Sequence, residues 1–165
     1  MVKASRKGDL ERIKQLLDGG IDVNASTKGN EYPLNEALVS KNLETIKLLL
    51  GAGADPSNVL ENAIREENKE KVELLLRAGT DANINMHGQT PLVTAVLFYN
   101  LEVTELLIDY GADINAESND GMNALSTAML EPEDLDIVRL LLERGADVNA
   151  KSSYGSMLQT AIYRG

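Results

Sequence analysis

Apolar residues recur at helical spacing in five Leu-rich segments of the 165-residue chain. They fall three or four positions apart, which places them on one face of an α-helix. An Asn or Asp precedes each segment, where its side chain can accept hydrogen bonds from the unpaired N–H groups of the first turn. A Gly follows each segment and suits the left-handed conformation that ends many helices. The pattern predicts five helices, one inside each of the intervals Asp9–Gly20, Asn42–Gly53, Asn68–Gly79, Asn100–Gly111 and Asp134–Gly145.

Two independent series of small residues share one period. The glycines at 20, 53, 79, 111 and 145 lie 33, 26, 32 and 34 residues apart, and the alanines at 4, 37, 63, 95, 128 and 161 lie 33, 26, 32, 33 and 33 apart. A common short interval indicates a true internal repeat with a local deletion. The alanines mark a second helix in each unit, and Pro33 and Pro91 stand where its first residue would lie.

Two motifs resemble those of the ankyrin repeat family. Thr90–Ala95 matches the family's Thr-Pro-Leu-His-x-Ala except at the His, and the segments Gly20–Ala25, Gly111–Ala116 and Gly145–Ala150 match its loop signature. The resemblance covers essentially the whole chain. It implies an all-α fold, a solenoid of stacked helix-turn-helix units with short β-hairpin fingers. The family His is replaced throughout, by Asn35, Glu61, Val93, Ser126 and Gln159.

The resemblance also predicts the domain organisation. Residues 1–165 are expected to form a single ankyrin repeat domain of about six repeats, the first and last incomplete. Repeats two to five are expected at about Tyr32–Asp55, Asn58–Asp81, Thr90–Asp113 and Asn123–Asp147, and an inner helix of repeat six at Ser156–Arg164. The finger between repeats two and three is deleted, which we attribute to drift in a surface loop rather than to a notch for a partner. We expect the chain to be a piece of a longer array.

The composition argues against catalysis. The chain has no Cys and one His, so a thiol nucleophile, a His-Glu-x-x-His zinc motif and most His-based triads are excluded. No Gly-rich phosphate loop appears, and the acidic turn Glu131–Asp136 does not match a calcium-binding loop. We therefore expect no enzymatic activity, no cofactor and no metal. The remaining interpretations of His87, in a finger turn, are an exposed contact residue or a spacer.

The formal net charge is −10, and residues 101–150 carry twelve Asp and Glu against two Arg. This charge disfavours nucleic acid and anionic membranes as partners. It is explained either by solubility, which we favour, or by a protein partner with a basic surface. No apolar run is long enough to span a membrane, and residues 1–10 do not read as a signal peptide. We expect a cytoplasmic monomer, with nuclear location or secretion into a host cell as alternatives.

The family resemblance implies a non-catalytic scaffold that binds a partner protein through fingertips and the inner-helix groove. The alternatives are a targeting or substrate-recruiting segment of a larger enzyme or host-directed effector, and a substrate of asparagine hydroxylases at loop residues such as Asn83. Exposed apolar and fingertip positions concentrate in the C-terminal half, although Leu97 and Phe98 could instead be ordinary core. The predicted partner-binding residues are Met86, His87, Gln89, Leu97, Phe98, Tyr99, Met122, Leu130, Tyr154 and Tyr163.

Overall fold

A computed structural model describes residues 1–29, 31–130, 135–149, 151–152 and 155–156. The described part contains ten α-helices and two short strands. In chain order they are α1 (Val2–Lys7), α2 (Leu10–Asp18), α3 (Pro33–Val39), α4 (Leu43–Gly51), α5 (Ser57–Arg65), α6 (Lys69–Arg77), α7 (Pro91–Leu97), α8 (Leu101–Asp109), α9 (Ala124–Ala128), α10 (Leu135–Glu143), β1 (Lys151–Ser152) and β2 (Gly155–Ser156). The predicted all-α fold of helix-turn-helix units is confirmed.

The Leu-rich helices are the even-numbered ones, and their ends follow the predicted signals. Asp9 accepts from the N–H of Arg12 at 3.0 Å, and Asn42 and Asn100 accept from the N–H three residues on at 3.0 Å each. The predicted cap of α10, Asp134, lies outside the described residues. All five closing glycines have positive φ, between 77° and 104°. The local sequence therefore determines where these helices begin and end.

The odd-numbered helices carry the Ala series. Pro33 and Pro91 are the first residues of α3 and α7, where the missing N–H costs no hydrogen bond. Ala37 and Ala95 are fully buried, so neighbouring helices can approach closely there. In α9, Ser126 stands where the family has His and forms a capping box, since Asn123 accepts from the Ser126 N–H and Ser126 Oγ accepts from the Asn123 N–H. A local cap thus stabilises the start of α9.

The chain divides into two compact units. Unit 1 comprises Met1–Leu60 and Glu70–Asp81, and unit 2 comprises Glu61–Lys69 and Ala82–Gly165. In unit 1, α1 packs on α3, α3 on α4 and α2 on α4. In unit 2, α7 packs on α8 and α9, and α10 packs on α8 and α9. Each unit has a core of fully buried aliphatic residues, which include Ile13, Ile46, Leu49, Leu60, Val72 and Leu75 in unit 1 and Ile64, Leu107, Ile137 and Leu141 in unit 2.

Two hairpins appear where fingers are predicted. Met86 and Gln89 exchange backbone hydrogen bonds at 2.9 and 3.1 Å around a turn made by His87 and Gly88. β1 pairs with β2 in antiparallel register, with Lys151 opposite Ser156. Ser156 therefore belongs to a strand, and the prediction that a sixth inner helix starts at Ser156 is wrong because this backbone pairs across the hairpin. The rest of that predicted helix lies outside the described residues.

Candidate functional site

Three exposed apolar residues end α7 and form the turn before α8. Leu97 is 47%, Phe98 37% and Tyr99 46% exposed. We call these three residues the turn patch. The alternative in which Leu97 and Phe98 belong to the core is wrong, because both side chains keep a large share of their surface in contact with solvent. Tyr99 has φ 51°, and Lys41 and Glu67 take φ 53° in the matching turns, so the turn imposes this backbone on whichever residue stands there.

An open cavity of ≈ 290 Å³ adjoins the turn patch. It is lined by Val96, Leu97, Tyr99, Thr127 and Leu130, and we call it the turn pocket. Leu130 is half-buried, and it follows α9, whereas Leu97 ends α7. The packing of α7 on α9 therefore assembles the pocket from two consecutive repeats. Three of the predicted residues, Leu97, Tyr99 and Leu130, are brought together here.

A line of charged residues on α5 joins the fingertip to the turn patch. His87 Nδ1 lies 3.6 Å from Glu61 Oε2, and Arg65 Nη1 lies 3.2 Å from Glu61 Oε1. The Arg65 guanidinium carbon lies 5.2 Å from the centroid of the Phe98 ring, a cation–π distance. We call Glu61 and Arg65 the α5 strip. The sequence placed His87 and Phe98 on one surface, but the strip that connects them is visible only in three dimensions.

Met86 and Met122 were predicted as exposed contact residues, and their expected exposure is wrong. Met86 is 1% and Met122 5% exposed. Met86 stands at the paired base of its hairpin, where one side chain of each strand faces the protein. Met122 immediately precedes the cap Asn123 of α9, and an apolar side chain at that position often packs back onto the helix. The Met122 sulfur accepts a hydrogen bond from Ser126 Oγ at 3.9 Å. Both methionines belong to the core.

Gln89 joins two fingers. It is half-buried, and its side chain donates a hydrogen bond to Asp120, which also accepts from Ser118 Oγ at 2.8 Å and from the Met122 N–H at 3.3 Å. Led by the Ser118 hydroxyl, these donors lower the pKa of Asp120 despite an opposing contribution from burial. The Asn119 N–H also donates to the Gly88 carbonyl at 2.7 Å. The fingers around His87 and Asp120 are therefore held together, which fixes the turn at His87 relative to the next finger.

The remaining two predicted residues, Tyr154 and Tyr163, lie outside the described residues. Among the residues that the structure describes, no group of His, Asp and Glu is arranged to hold a metal ion. No described helix is long and apolar enough to cross a membrane.

The loop Asn residues have structural partners, since Asn83 Nδ2 donates to the Gly111 carbonyl at 3.0 Å and Asn83 Oδ1 accepts from the Asp113 N–H at 2.7 Å.

A family model described as ankyrin repeats, in three copies, matches residues 60–152. The chain belongs to the ankyrin repeat family. The ankyrin repeat domain of Bcl-3, a member of the IkappaB protein family, has a similar structure, with a TM-score of 0.74 and 27% sequence identity over 99% of this chain and 79% of that one. The matched range contains the turn patch, the turn pocket and the α5 strip, so the candidate site is built on ankyrin repeats. Ankyrin repeats generally mediate binding to other proteins.

Curated relatives share shorter segments with this ankyrin repeat chain. The 2-5A-dependent ribonuclease of Mus musculus is 38% identical over 63 residues, which is 38% of this chain and 9% of the relative. The BCL-6 corepressor-like protein 1 of Homo sapiens is 42% identical over 55 residues, which is 33% of this chain and 3% of the relative. The chain thus spans a small part of the length of either relative.

Proposed function

We propose that this chain is a non-catalytic ankyrin repeat scaffold that binds a partner protein through the turn patch, the turn pocket and the α5 strip. The observation that carries the proposal is the exposed run Leu97–Tyr99 beside an open cavity. Exposed apolar side chains gathered in one place mark protein interaction sites more often than chance surface composition does. The charged pair Glu61–Arg65 borders them, since Arg65 lies over the Phe98 ring, as charged residues do at the polar rim of protein interfaces.

The proposal keeps three fingertip and groove residues as direct contacts besides the turn pocket: His87, Phe98 and Arg65. His87 is 64% exposed at its side chain and lies at the tip of a hairpin that is tied to its neighbour. Arg and aromatic residues supply a large share of the binding energy at protein interfaces. Met86 and Met122 are buried and make no direct contact with the partner in this proposal. Gln89 positions the finger that carries His87 through its hydrogen bond to Asp120. Tyr154 and Tyr163 stay predictions from the sequence.

We further propose one ankyrin repeat domain over residues 1–165, acting as a cytoplasmic monomer on a protein with a basic surface, and not on nucleic acid or a membrane. The net charge of −10 supports a basic partner and opposes binding to polyanions. Light scattering during size-exclusion chromatography measures the oligomeric state directly. A mass of two chains would contradict the monomer.

The pair Leu97→Ser and Phe98→Ala tests the function. We expect the double variant to melt near the wild-type temperature, because Leu97 and Phe98 are 47% and 37% exposed and lie outside the core. We also expect it to lose the proteins that the wild type captures in an affinity pull-down. Val39→Ser is the matched control, since Val39 stands at the position of Leu97 in the second repeat and is 67% exposed. A large drop in melting temperature with capture retained would overturn the proposal.

A second candidate is that the chain recruits substrates for a larger enzyme. The observation in its favour is the match to part of a ribonuclease, of which this chain spans 9%. The two candidates differ in what is fused to the repeats. Sequencing the whole native polypeptide that contains this segment separates them, because a recruiting segment would be joined to a catalytic domain, whereas a scaffold would be joined to none.

A further inference from the structure

We infer that unit 2 carries a second docking surface, which receives one Leu-rich helix followed by a Gly-x-Asp loop from another protein. The surface is formed by one side of α10 and by Asn149 in the loop that follows it. It contains no residue of the turn patch, the turn pocket or the α5 strip. The inference therefore goes beyond the proposed function and is tested separately from it.

One side of α10 exposes apolar residues at helical spacing. Leu135 and Leu142 lie seven positions apart, which is about two helical turns, and they are 64% and 44% exposed. Val138 lies between them and is half-buried, and Val148 in the following loop is 54% exposed. We call these four residues the end face. Exposed aliphatic side chains gathered along one helix indicate an interaction site.

Other Leu-rich helices show what covers this side of such a helix. Within the units, α2 packs on α4 and α8 packs on α10, so a Leu-rich helix meets the Leu-rich helix of the next repeat. Counted from the closing Gly, the end-face positions of the fourth repeat hold Leu101, Thr104, Ile108 and Ile114. Thr104 is fully buried, Ile108 and Ile114 are half-buried, and Leu101 is 36% exposed. Each end-face residue is therefore more exposed than its counterpart beside a covered helix.

A hydrogen-bonding pattern accompanies this packing between consecutive repeats. Asn24 Nδ2 donates to the Gly53 carbonyl at 3.0 Å, and Asn24 Oδ1 accepts from the Asp55 N–H at 2.9 Å. Asn83 makes the same two bonds to the loop after α8, and Asn115 accepts from the N–H of the Asp in the loop after α10 at 2.8 Å. A loop Asn thus binds the Gly-x-Asp segment that ends the next Leu-rich helix.

Asn149 has this position in the loop after α10. Its backbone N–H donates to Asp147 at 2.8 Å, as the Asn24 N–H does to Asp22 at 2.9 Å, so the two loops share their local geometry. Asn149 is exposed, and no group in the described part of the chain forms a hydrogen bond with its side chain. The amide therefore offers a donor and an acceptor next to Val148 of the end face. A Leu-rich helix with a Gly-x-Asp loop matches both features.

The probe is a synthetic peptide with the sequence of residues 135–147, which contains a Leu-rich helix and its Gly-Ala-Asp loop. A hydrocarbon staple between polar positions holds the helix, because isolated helices of about this length are marginal in water. The peptide is titrated into the ¹⁵N-labelled full chain and followed by two-dimensional NMR. We expect shifts at the backbone amides of Leu142 and Val148 and at the side-chain NH₂ of Asn149.

A matched peptide tests the hydrogen bond to the loop. It carries an N-methyl group on the backbone nitrogen of its final Asp, which removes the N–H that the Asn149 oxygen would accept. It should bind about tenfold more weakly than the first peptide, as loss of one well-formed hydrogen bond to a buried partner does. Equal affinity of the two peptides would overturn the inference.

Variants of the chain locate the binding. Leu142→Ser/Val148→Ser and Asn149→Ala should melt near the wild-type temperature, because all three side chains are exposed, and bind the peptide about tenfold more weakly. Ile21→Ser is the matched control, since Ile21 is 45% exposed in the loop after α2 and lies in unit 1. It should bind the peptide like the wild type.

The remaining outcomes separate this inference from its alternatives. Shifts confined to α8 and Asn115 would mean that the peptide displaces α10, and this result or the absence of shifts would overturn the inference. An Asn149 side-chain signal that moves when the free chain is diluted would identify a second copy as the occupant and would also overturn it. Leu97→Ser/Phe98→Ala should bind the peptide like the wild type, so its loss of captured proteins tests the proposed function alone.

Discussion

At the scale of single residues, Glu36 and Arg6 form a charge pair between two helices of unit 1. Glu36 is 8% exposed on α3, and Arg6 on α1 donates hydrogen bonds both to Glu36 and to Glu31, the latter at 3.1 Å. The hydrogen bond from Arg6 lowers the pKa of Glu36, although burial alone would raise it. A buried carboxylate without this partner would be costly to ionise. The first repeat is thus joined to the second by a charge pair whose contribution depends on pH.

Removing the cation should make the chain less stable at neutral pH. Because the pKa of Glu36 is lower in the folded chain than in the unfolded one, its stabilisation is present above the unfolded value of about 4.3 and is lost as pH falls through the folded pKa. We expect Arg6→Met to lower the melting temperature at pH 7 and to differ less and less from the wild type as the pH falls below about 4.3. Circular dichroism melts across this range measure the difference.

The control for Arg6→Met is Arg77→Met, which removes an exposed cation that lies 3.8 Å from Glu73 on the same helix. Such surface pairs contribute little, so this variant should melt like the wild type at every pH. An Arg6→Met deficit that is equally large at acidic and neutral pH would show that Arg6 stabilises the chain through packing of its stem and not through the charge of Glu36.

At the scale of elements, the finger carrying His87 depends on one glycine. Gly88 has φ +96°, a backbone angle that residues other than Gly rarely adopt. A Cβ at this position would lie 2.6 Å from Asn119 Nδ2. The Gly88 carbonyl accepts the Asn119 N–H at 2.7 Å, so the same residue makes the turn and joins it to the next finger. The position of His87 above the α5 strip therefore relies on a residue with no side chain.

Gly88→Ala should weaken this finger in two ways. The left-handed backbone alone costs an Ala about 1–2 kcal/mol, and the contact with Asn119 forces one finger to shift. Gly79→Ala is the control, since Gly79 has φ +104° but no atom within 4 Å of its Cβ position. Hydrogen exchange should show faster exchange at the Asn119 amide in Gly88→Ala than in Gly79→Ala. Equal protection in both variants would contradict the role of the finger contact.

At the scale of the whole molecule, the dominant physical property is charge. The chain has sixteen Lys and Arg and twenty-six Asp and Glu, which gives a net charge of −10. Several cations are already paired inside one unit, as Arg144 is with Asp109 at 2.6 Å and Glu105 at 3.1 Å. The remaining excess of carboxylates repels itself in the folded chain, and the same excess attracts a basic partner. Stability and partner association should therefore respond to salt in opposite directions.

The melting temperature of the free chain should rise when salt is added. Between about 10 mM and 150 mM ionic strength the screening length falls from about 30 Å to about 8 Å, which shields carboxylates from one another. Asp18→Asn/Glu117→Gln, at two exposed positions, removes two negative charges and should reduce the rise. Differential scanning calorimetry at both salt concentrations measures the change. A melting temperature that falls with salt would mean that ion pairs outweigh the net repulsion.

Local features of the sequence determined the repeats of this protein, and contacts between repeats decided its surface. Helix ends at Asn42 or Gly111 depend on hydrogen bonds and backbone angles within a few residues, so they can be predicted without knowing what lies opposite. The exposure of Leu97 could be proposed from its position in the repeat, but the burial of Met86 could not, because burial depends on which distant side chains cover a residue. The turn pocket has the same origin, since its walls come from helices that only packing brings together.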